Sequence, residues 1–296
     1  MTHLVQNVAP RRSDSDYNTS VPERTSDSCL VPLRTGSGAA LFLLHGVDGE
    51  VTRFSALANH LGDRPVFGIR SQALVEGAPA HLRVQEQAAF YLQEIRSVQP
   101  TGPYHLLGFS FGGLVALEIA QQLNAQGQKC AFLGAVDNLL MGAPKHHETS
   151  PHNPFPDEKR RSVPGPHRRL TGHLRKVFRL GGFAYTWRKV SSRLLRLTYT
   201  ILDRMRQRVP GFLRRPYHIN WYAAVHYVPR SYSGRVTLFR TAASVDDHRR
   251  SDEMWAGIAR DGIEIRDIPG AHETLFSEPN VSCLAEQLEA SLARLY

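Results

Sequence analysis

The chain has 296 residues, of which 42% are hydrophobic and 21% charged, with a formal net charge of +9. This length suits one α/β domain with a large insertion, and the composition excludes a wholly disordered protein. The longest apolar runs, such as residues 39–44, are too short to cross a bilayer, which takes about 20 residues, and the N-terminal segment lacks the apolar stretch of a secretory signal.

The N-terminal segment and the cysteines bear on domain organisation and cellular compartment. Residues 1–35 are rich in Ser, Thr, Asp, Arg and Pro, so we predict a disordered tail or linker there and one domain over residues 36–296. The cysteines are odd in number and widely spaced, at Cys29, Cys130 and Cys283. This spacing argues against a disulfide framework and a zinc site, so we expect a cytoplasmic protein without a metal or a cofactor of its own.

Short apolar runs alternate with amphipathic stretches along the chain. Four apolar runs predict buried strands, at residues 39–44, 65–70, 104–109 and 130–136. Three stretches between them have the apolar spacing of helices, at residues 51–62, 84–98 and 112–127. Gly62 and Gly127 are placed to end two of these helices. The alternation predicts right-handed βαβ crossovers and a mostly parallel sheet in an α/β fold.

This alternation stops at about residue 138 and resumes after residue 217. The segment between them contains clusters of Pro, Gly, His and Arg, and one helical stretch with an apolar stripe: Trp187, Val190, Leu194, Leu197 and Ile201. Two further strands are predicted, at residues 234–241 and 263–270, and then a closing helix at residues 281–295. We therefore predict an insertion within one domain, and we expect the stripe to pack inside that insertion.

The insertion also supplies the whole charge imbalance of the chain. Residues 145–217 hold 18 Lys and Arg against four acids, which leaves the remainder mildly acidic. These basic residues lack interleaved aromatic platforms or a known motif, so we do not expect nucleic-acid binding. Three interpretations stay open: a solvated helical face, a docking surface for an acidic protein, or contact with an anionic membrane without stable insertion.

The sharpest motif is Gly108-Phe109-Ser110-Phe111-Gly112, which lies between a predicted strand and a predicted helix. In a nucleophile elbow, this G-x-S-x-G pattern holds the serine in a strained turn that points its hydroxyl out of the sheet. The glycines remove Cβ atoms that would collide there. The setting predicts that Ser110 is a nucleophile, and it places the backbone N–H of Phe111 where it can bind a developing oxyanion.

A serine nucleophile needs a base to take its proton and a carboxylate to orient that base. In α/β-hydrolases the chain order is Ser, acid, His, and His272 follows the last predicted strand, at the edge of the sheet where Ser110 lies. Asp137 ends the strand after the elbow helix, whereas Asp246 and Asp247 follow the next strand. Both acid positions are geometrically sensible, and spacing alone does not decide between them.

The loop after the first predicted strand, with sequence HGVDG, is the expected source of a second oxyanion donor. The simplest candidate is the backbone N–H of Val47. We expect His45 to pack this loop, and we assign no chemical role to Asp48.

Together these motifs resemble the thioesterase domains that end nonribosomal peptide and polyketide synthetases, which have the α/β-hydrolase fold. The similarity runs from about residue 39 to the C-terminus and is strongest at residues 41–62 and 104–138. In that family the elbow serine, an aspartate after the next strand and a late histidine form the triad. The resemblance therefore implies a triad of Ser110, Asp137 and His272.

The resemblance further implies a mobile helical lid over the acyl pocket, at about residues 138–217. It implies a reaction in which Ser110 takes an acyl, peptidyl or polyketide chain from the phosphopantetheine thioester of an acyl or peptidyl carrier protein. Water then yields an acid, or an internal nucleophile yields a macrocycle. The alternatives are a carboxylesterase or lipase that acts on free small esters, and a free-standing editing thioesterase.

Overall fold

The computed structural model describes residues 27–138, 182–241 and 245–295, and its central element is a seven-stranded sheet. The strands are Leu30–Arg34 (β1), Leu41–Leu44 (β2), Val66–Ile69 (β3), Tyr104–Phe109 (β4), Cys130–Val136 (β5), Val236–Arg240 (β6) and Ile263–Asp267 (β7). Their order is β1-β3-β2-β4-β5-β6-β7, and every neighbouring pair is parallel except β1 with β3. The predicted mostly parallel sheet is confirmed.

Helices cover both faces of this sheet. The α-helices of the described residues are Phe54–His60 (α1), Val84–Val98 (α2), Phe111–Ala125 (α3), Gly182–Arg204 (α4), Pro216–His226 (α5), Val245–Ile258 (α6) and Asn280–Leu292 (α7). Side chains alternate along β2, so that Phe42 and Leu44 join the core under α2 and α3, while Leu41 and Leu43 join the core under α1 and α7. The sheet is therefore the middle layer of three.

One expectation about the N-terminal half is wrong. Residues 30–34 belong to the domain and not to a tail, because β1 pairs antiparallel with β3 and places Leu30 opposite Ile69. Only Leu30 of this edge strand is buried, and an edge strand tolerates Pro32, so its sequence carries little of the usual strand signal. As predicted, Gly62 and Gly127 follow the ends of α1 and α3, each two residues after the last helical residue. Gly127 has a φ of 70°, whereas Leu61 before Gly62 is extended.

The predicted helix of the insertion exists as α4, but the three residues of its apolar stripe whose side chains are described are exposed. Leu194, Leu197 and Ile201 are 59%, 57% and 48% exposed. The side chains of Trp187 and Val190 lie outside the described residues. Helix α4 instead buries Leu195 and Tyr199, and these pack with residues of α5: Ile219, Trp221 and Tyr222. A helix that packs on one partner helix buries one face, so the stripe on another face stays exposed.

Helix α4 of the insertion and helix α5 after it lie against the loops at the carboxyl edge of the sheet. Their small core includes Ala80 and Leu82 from the loop before α2, and Val47 packs against it from the loop after β2. Among the described residues, no helix has the length and apolar composition needed to span a membrane.

Candidate active site

Ser110 lies in a turn between the end of β4 and the start of α3. Its φ of 50° and ψ of −119° lie outside the regions that non-glycine residues favour, at a cost of about 1–3 kcal/mol. Two backbone hydrogen bonds hold the turn: Ser110 N–H donates to the Val136 carbonyl at 2.8 Å, and Gly113 N–H donates to the Ser110 carbonyl at 3.0 Å. The structure therefore places Ser110 in a strained strand-to-helix elbow.

The glycines around Ser110 are required by close backbone approach. A Cβ atom at Gly108 would collide with the carbonyl of Gly112 in the first turn of α3. A Cβ atom at Gly112 would collide with the carbonyl of Leu44, which ends the neighbouring strand β2. Helix α3 can leave the elbow at this angle only because both positions lack a side chain.

Asp137 and His272 meet at the same edge of the sheet. Asp137 follows β5, whereas His272 lies in the loop between β7 and α7. The Nδ1 atom of His272 lies 2.5 Å from Oδ2 of Asp137. The carboxylate is fully buried and the imidazole is 38% exposed, so the outer edge of the ring reaches solvent. The imidazole also stacks on Phe109, the residue before Ser110, with ring centroids 4.7 Å apart.

A second donor fixes the other oxygen of Asp137. The hydroxyl of Thr241, directly after β6, donates to Oδ1 at 2.6 Å, and the backbone N–H of Thr241 lies 3.4 Å from the same atom. Burial alone would raise the pKa of Asp137, but the hydrogen bonds from His272 and Thr241 outweigh burial and hold the pKa below its usual value. The carboxylate therefore stays ionised at neutral pH, as a group that orients an imidazole must.

The alternative acids begin the helix that follows β6. Asp246 and Asp247 lie in the first turn of α6, and their side chains are outside the described residues. The described contact to His272 comes from Asp137. The geometry thus brings Asp137 and His272 together beside the Ser110 elbow, and the assignment of their roles stays a prediction.

The two predicted oxyanion donors belong to segments that flank Ser110. Phe111 is the first residue of α3, so its N–H has no carbonyl one turn earlier in the helix to bind. Val47 lies in the loop after β2, where its carbonyl accepts a hydrogen bond from Asn220 of α5 at 3.0 Å. Helix α5, which follows the predicted insertion, therefore holds the loop that carries Val47.

His45 packs this loop, as predicted. It is buried, and its Nε2 lies 3.0 Å from the hydroxyl of Tyr91 while Nδ1 lies 2.6 Å from the carbonyl of Gly46. Burial lowers the pKa of His45 to about 4, so the ring is neutral at physiological pH. Asp48 forms an ion pair with Arg53 at the loop surface.

Three residues of the site were not predicted from the sequence: Phe109, Thr241 and Asn138. Phe109 is a variable position of the motif, and its stacking on His272 depends on a contact between segments far apart in the chain. Thr241 directly follows β6, so its position at a strand end was a usable signal. Asn138 donates through its side chain to the carbonyl of Ser110, which only the folded chain brings near.

Comparison with known families agrees with this architecture. Residues 39–292 match the family model described as "Thioesterase domain". The chain belongs to the thioesterase domain family. It is therefore a thioesterase, a class of hydrolase, and the resemblance drawn from its motifs is confirmed.

The relatives of this thioesterase domain are very large synthetases. It is 28% identical over 275 residues to malpinin synthetase of Mortierella alpina, covering 91% of this chain and 3% of that protein. It is 38% identical over 109 residues to vanchrobactin synthetase VabF of Vibrio anguillarum, covering 36% of this chain and 4% of that protein. It is also 31% identical over 152 residues to polyketide synthase PksR of Bacillus subtilis (strain 168), covering 50% of this chain and 6% of that protein.

Solved structures show the same fold. The thioesterase domain matches holo-AB3403, a four-domain nonribosomal peptide synthetase bound to AMP and glycine, with a TM-score of 0.62 and 23% identity, over 89% of this chain and 20% of that one. It also matches the NocB thioesterase domain in covalent complex with a fluorophosphonate nocardicin G analog, with a TM-score of 0.59 and 24% identity. This match covers 90% of this chain and 100% of that one. The α/β-hydrolase fold is therefore confirmed.

Proposed function

We propose that this thioesterase releases an acyl, peptidyl or polyketide chain from the phosphopantetheine thioester of a carrier protein, through an acyl intermediate on Ser110. The observation that carries this proposal is the 2.5 Å contact between His272 and Asp137 beside the strained Ser110 elbow. A buried carboxylate on Nδ1 fixes the imidazole tautomer whose Nε2 accepts a proton, and this is the state that a general base needs.

In the first half of the reaction, Ser110 Oγ attacks the thioester carbonyl while His272 Nε2 takes the hydroxyl proton. The carbonyl oxygen becomes an oxyanion, for which we propose the backbone N–H groups of Phe111 and Val47 as donors. The tetrahedral intermediate then collapses, the C–S bond breaks, and His272 returns the proton to the leaving thiol. Asp137 stays ionised throughout and stabilises the imidazolium that forms between these two proton transfers.

In the second half, a nucleophile attacks the ester carbonyl of acyl-Ser110 with His272 again as the base. Water yields a free acid, and a hydroxyl or amine of the same acyl chain yields a macrocycle. The free Ser110 hydroxyl is restored in both cases. We propose hydrolysis or intramolecular cyclisation, with the choice decided by how far the insertion excludes water from the acyl-enzyme.

The partner proposed for this reaction is an acyl or peptidyl carrier protein. The supporting observation is that the similar proteins named above are synthetases and a polyketide synthase, of whose length this chain spans only 3%, 4% and 6%. We then propose that the carrier and the thioesterase are separate domains of one multidomain synthetase. The phosphopantetheine arm belongs to the carrier, so we propose no cofactor on the thioesterase itself.

Intact-protein mass spectrometry tests the proposal directly. We expect incubation with acyl-pantetheine thioesters to add the mass of one acyl group, and peptide mapping to place that group on Ser110. A parallel series of the same acyl groups on simple alcohols separates thioesterase from esterase action. Faster acylation by the alcohol esters would favour the carboxylesterase alternative, and turnover confined to short acyl groups would favour an editing thioesterase.

The basic residues of the insertion lead to a separate prediction. Arg168, Arg169, Arg175 and Lys176 lie outside the described residues, and their proposed role in docking an acidic carrier stays a prediction. Reversing these four to Glu is expected to lower kcat/KM on carrier-bound substrate by about tenfold or more, because steering raises the association rate. Turnover of a small soluble thioester is expected to stay unchanged.

The control for this charge reversal is a basic residue outside the insertion. Arg249 of α6 is 73% exposed, and Arg249→Glu is expected to leave carrier turnover near the wild-type value. Added salt should reduce the difference between wild type and the insertion variant, because surface charges are screened. Equal loss on carrier-bound and soluble substrates, or no loss on either, would instead support a merely solvated basic face.

A further inference from the structure

Two members of the proposed triad have unusual backbone conformations, and one side chain joins them. Ser110 and Asp137 both have positive φ, at 50° and 46°. Asn138 follows Asp137 in the chain, and its Nδ2 lies 2.6 Å from the carbonyl oxygen of Ser110. We infer that Asn138 is a positioning residue that couples the acid turn to the nucleophile elbow, an inference that rests on the proposed function.

The orientation of the Asn138 amide follows from its partner. A backbone carbonyl only accepts hydrogen bonds, so the NH₂ group of Asn138 must face the Ser110 oxygen. The same carbonyl accepts a second hydrogen bond from Gly113 N–H at 3.0 Å. The elbow is thus held from inside α3 by Gly113 and from the neighbouring strand end by Asn138.

The surroundings of Asn138 are shaped to this contact. Asn138 is 5% exposed, and a Cβ atom on Gly113 would lie 2.5 Å from its Nδ2, so the third glycine of the GFSFGG segment makes room for the amide. On the other side, the hydroxyl of Ser251 in α6 donates to the Asn138 backbone carbonyl at 2.9 Å. The residue is therefore fixed at both its side chain and its backbone.

Stability alone is a poor explanation for a buried amide at this position. The Oδ1 atom of Asn138 is buried and has no hydrogen-bond partner within the described part of the chain, which makes burial of the amide costly. If the Asn138 side chain were removed, the Ser110 carbonyl oxygen would keep its hydrogen bond from Gly113 N–H. The elbow would therefore contain no backbone acceptor without a hydrogen bond. A polar residue that costs stability and touches the nucleophile turn indicates a role in activity.

The coupling has a mechanical consequence for catalysis. Asp137 sets the position of His272, whereas the elbow sets the position of the Ser110 hydroxyl. The proton transfer between Ser110 and His272 depends on the relative position of these two turns, and an error of about 1 Å in such an alignment can cost about 100-fold in rate. Asn138 is the side chain that spans the two turns.

The test measures covalent labelling of Ser110 by a fluorophosphonate, together with thioesterase kinetics and thermal melting. Asn138→Ala removes the amide, and Asn138→Asp keeps its shape but turns an acceptor oxygen toward the Ser110 carbonyl. Both variants are expected to lower the labelling rate constant and kcat by about 10- to 100-fold. KM is expected to stay within about threefold of wild type, because the substrate contacts are intact. The melting temperature of Asn138→Ala is expected to fall by less than about 5 °C.

Gln121 of α3 provides a matched control. It is 7% exposed, its amide donates to the Arg230 carbonyl at 2.6 Å, and its Oε1 also lacks a partner among the described residues. Gln121→Ala therefore removes the same chemistry away from the elbow, and it should leave labelling and kcat within about twofold of wild type.

The outcomes separate this inference from the proposed function. Wild-type labelling rates in both Asn138 variants would overturn the inference and leave the proposed function intact. A loss of activity in these variants no larger than their unfolded fraction would have the same meaning. Equal losses in Asn138→Ala and Gln121→Ala would also overturn it. Failure of the wild-type protein to label at Ser110 would contradict both the proposed function and the inference.

Discussion

Ser110→Ala is expected to abolish thioesterase turnover while leaving the fold intact. Alanine lacks the oxygen that forms the acyl bond, and loss of a triad nucleophile typically lowers kcat by about 10⁴-fold or more. The substitution removes one atom from a side chain that is 5% exposed, and the backbone bonds of the elbow remain. The measurement is steady-state turnover of an acyl-pantetheine thioester, with circular dichroism and thermal melting of the same preparation.

Ser291 offers a matched control for Ser110. It is also 5% exposed, but it lies in α7, where its hydroxyl donates to the Gln287 carbonyl at 2.9 Å. Ser291→Ala is expected to retain wild-type turnover. Substantial activity in Ser110→Ala would remove Ser110 from the mechanism, and a lower melting temperature in that variant alone would point to a structural role for its hydroxyl.

Asp137→Asn is expected to lower kcat by about 10³- to 10⁴-fold with little loss of stability. Thr241 donates to Oδ1, so an amide at this position keeps its oxygen toward Thr241 and turns its NH₂ group toward His272. The Nδ1 atom of His272 must then accept a hydrogen bond, which puts the ring proton on Nε2, where it cannot take the proton of Ser110. Turnover of the soluble thioester measures this loss.

Asp246→Asn and Asp247→Asn are the controls that decide between the two acid positions. Each is expected to cost far less activity than Asp137→Asn, because the described hydrogen bond to His272 comes from Asp137. An active Asp137→Asn variant beside an inactive Asp246→Asn or Asp247→Asn variant would place the acid after β6. That result would also weaken the mechanism proposed for this member of the family.

Local patterns in the sequence predicted most of the central sheet and five of the helices in the described residues. Strands β2 to β7 and helices α1, α2, α3, α4 and α7 arise where the apolar spacing of a helix or of a buried strand is clear. The elbow was recognisable for a similar reason. Glycine is required at positions 108 and 112 because a Cβ atom there would collide with nearby backbone, at Gly112 itself or at the end of the adjacent strand β2. These requirements fall close to Ser110 in the chain, so they are visible as a short sequence motif.

The weaker predictions concern elements whose burial depends on distant partners. Strand β1 is half-buried at the edge of the sheet and is defined by its pairing with β3, so its own residues resemble a linker. The stripe on α4 has regular helical spacing, but the position of α5 decides which face of α4 is covered. The periodic spacing of apolar residues indicates that a helix is amphipathic, whereas tertiary packing decides which face of the helix is buried.

The sequence by itself determined the fold class, the nucleophile motif and a short list of acids and bases, because these depend on chain order and on residues close together in the chain. The tertiary structure decided which members of the list meet. Asp137 and His272 are separated by 135 residues, yet they lie 2.5 Å apart. Thr241 reaches the site from the end of β6, and Asn138 reaches it from the end of β5, directly after Asp137. Such contacts are set by the order of parallel strands across the sheet, and the spacing of residues along one chain contains no direct record of that order.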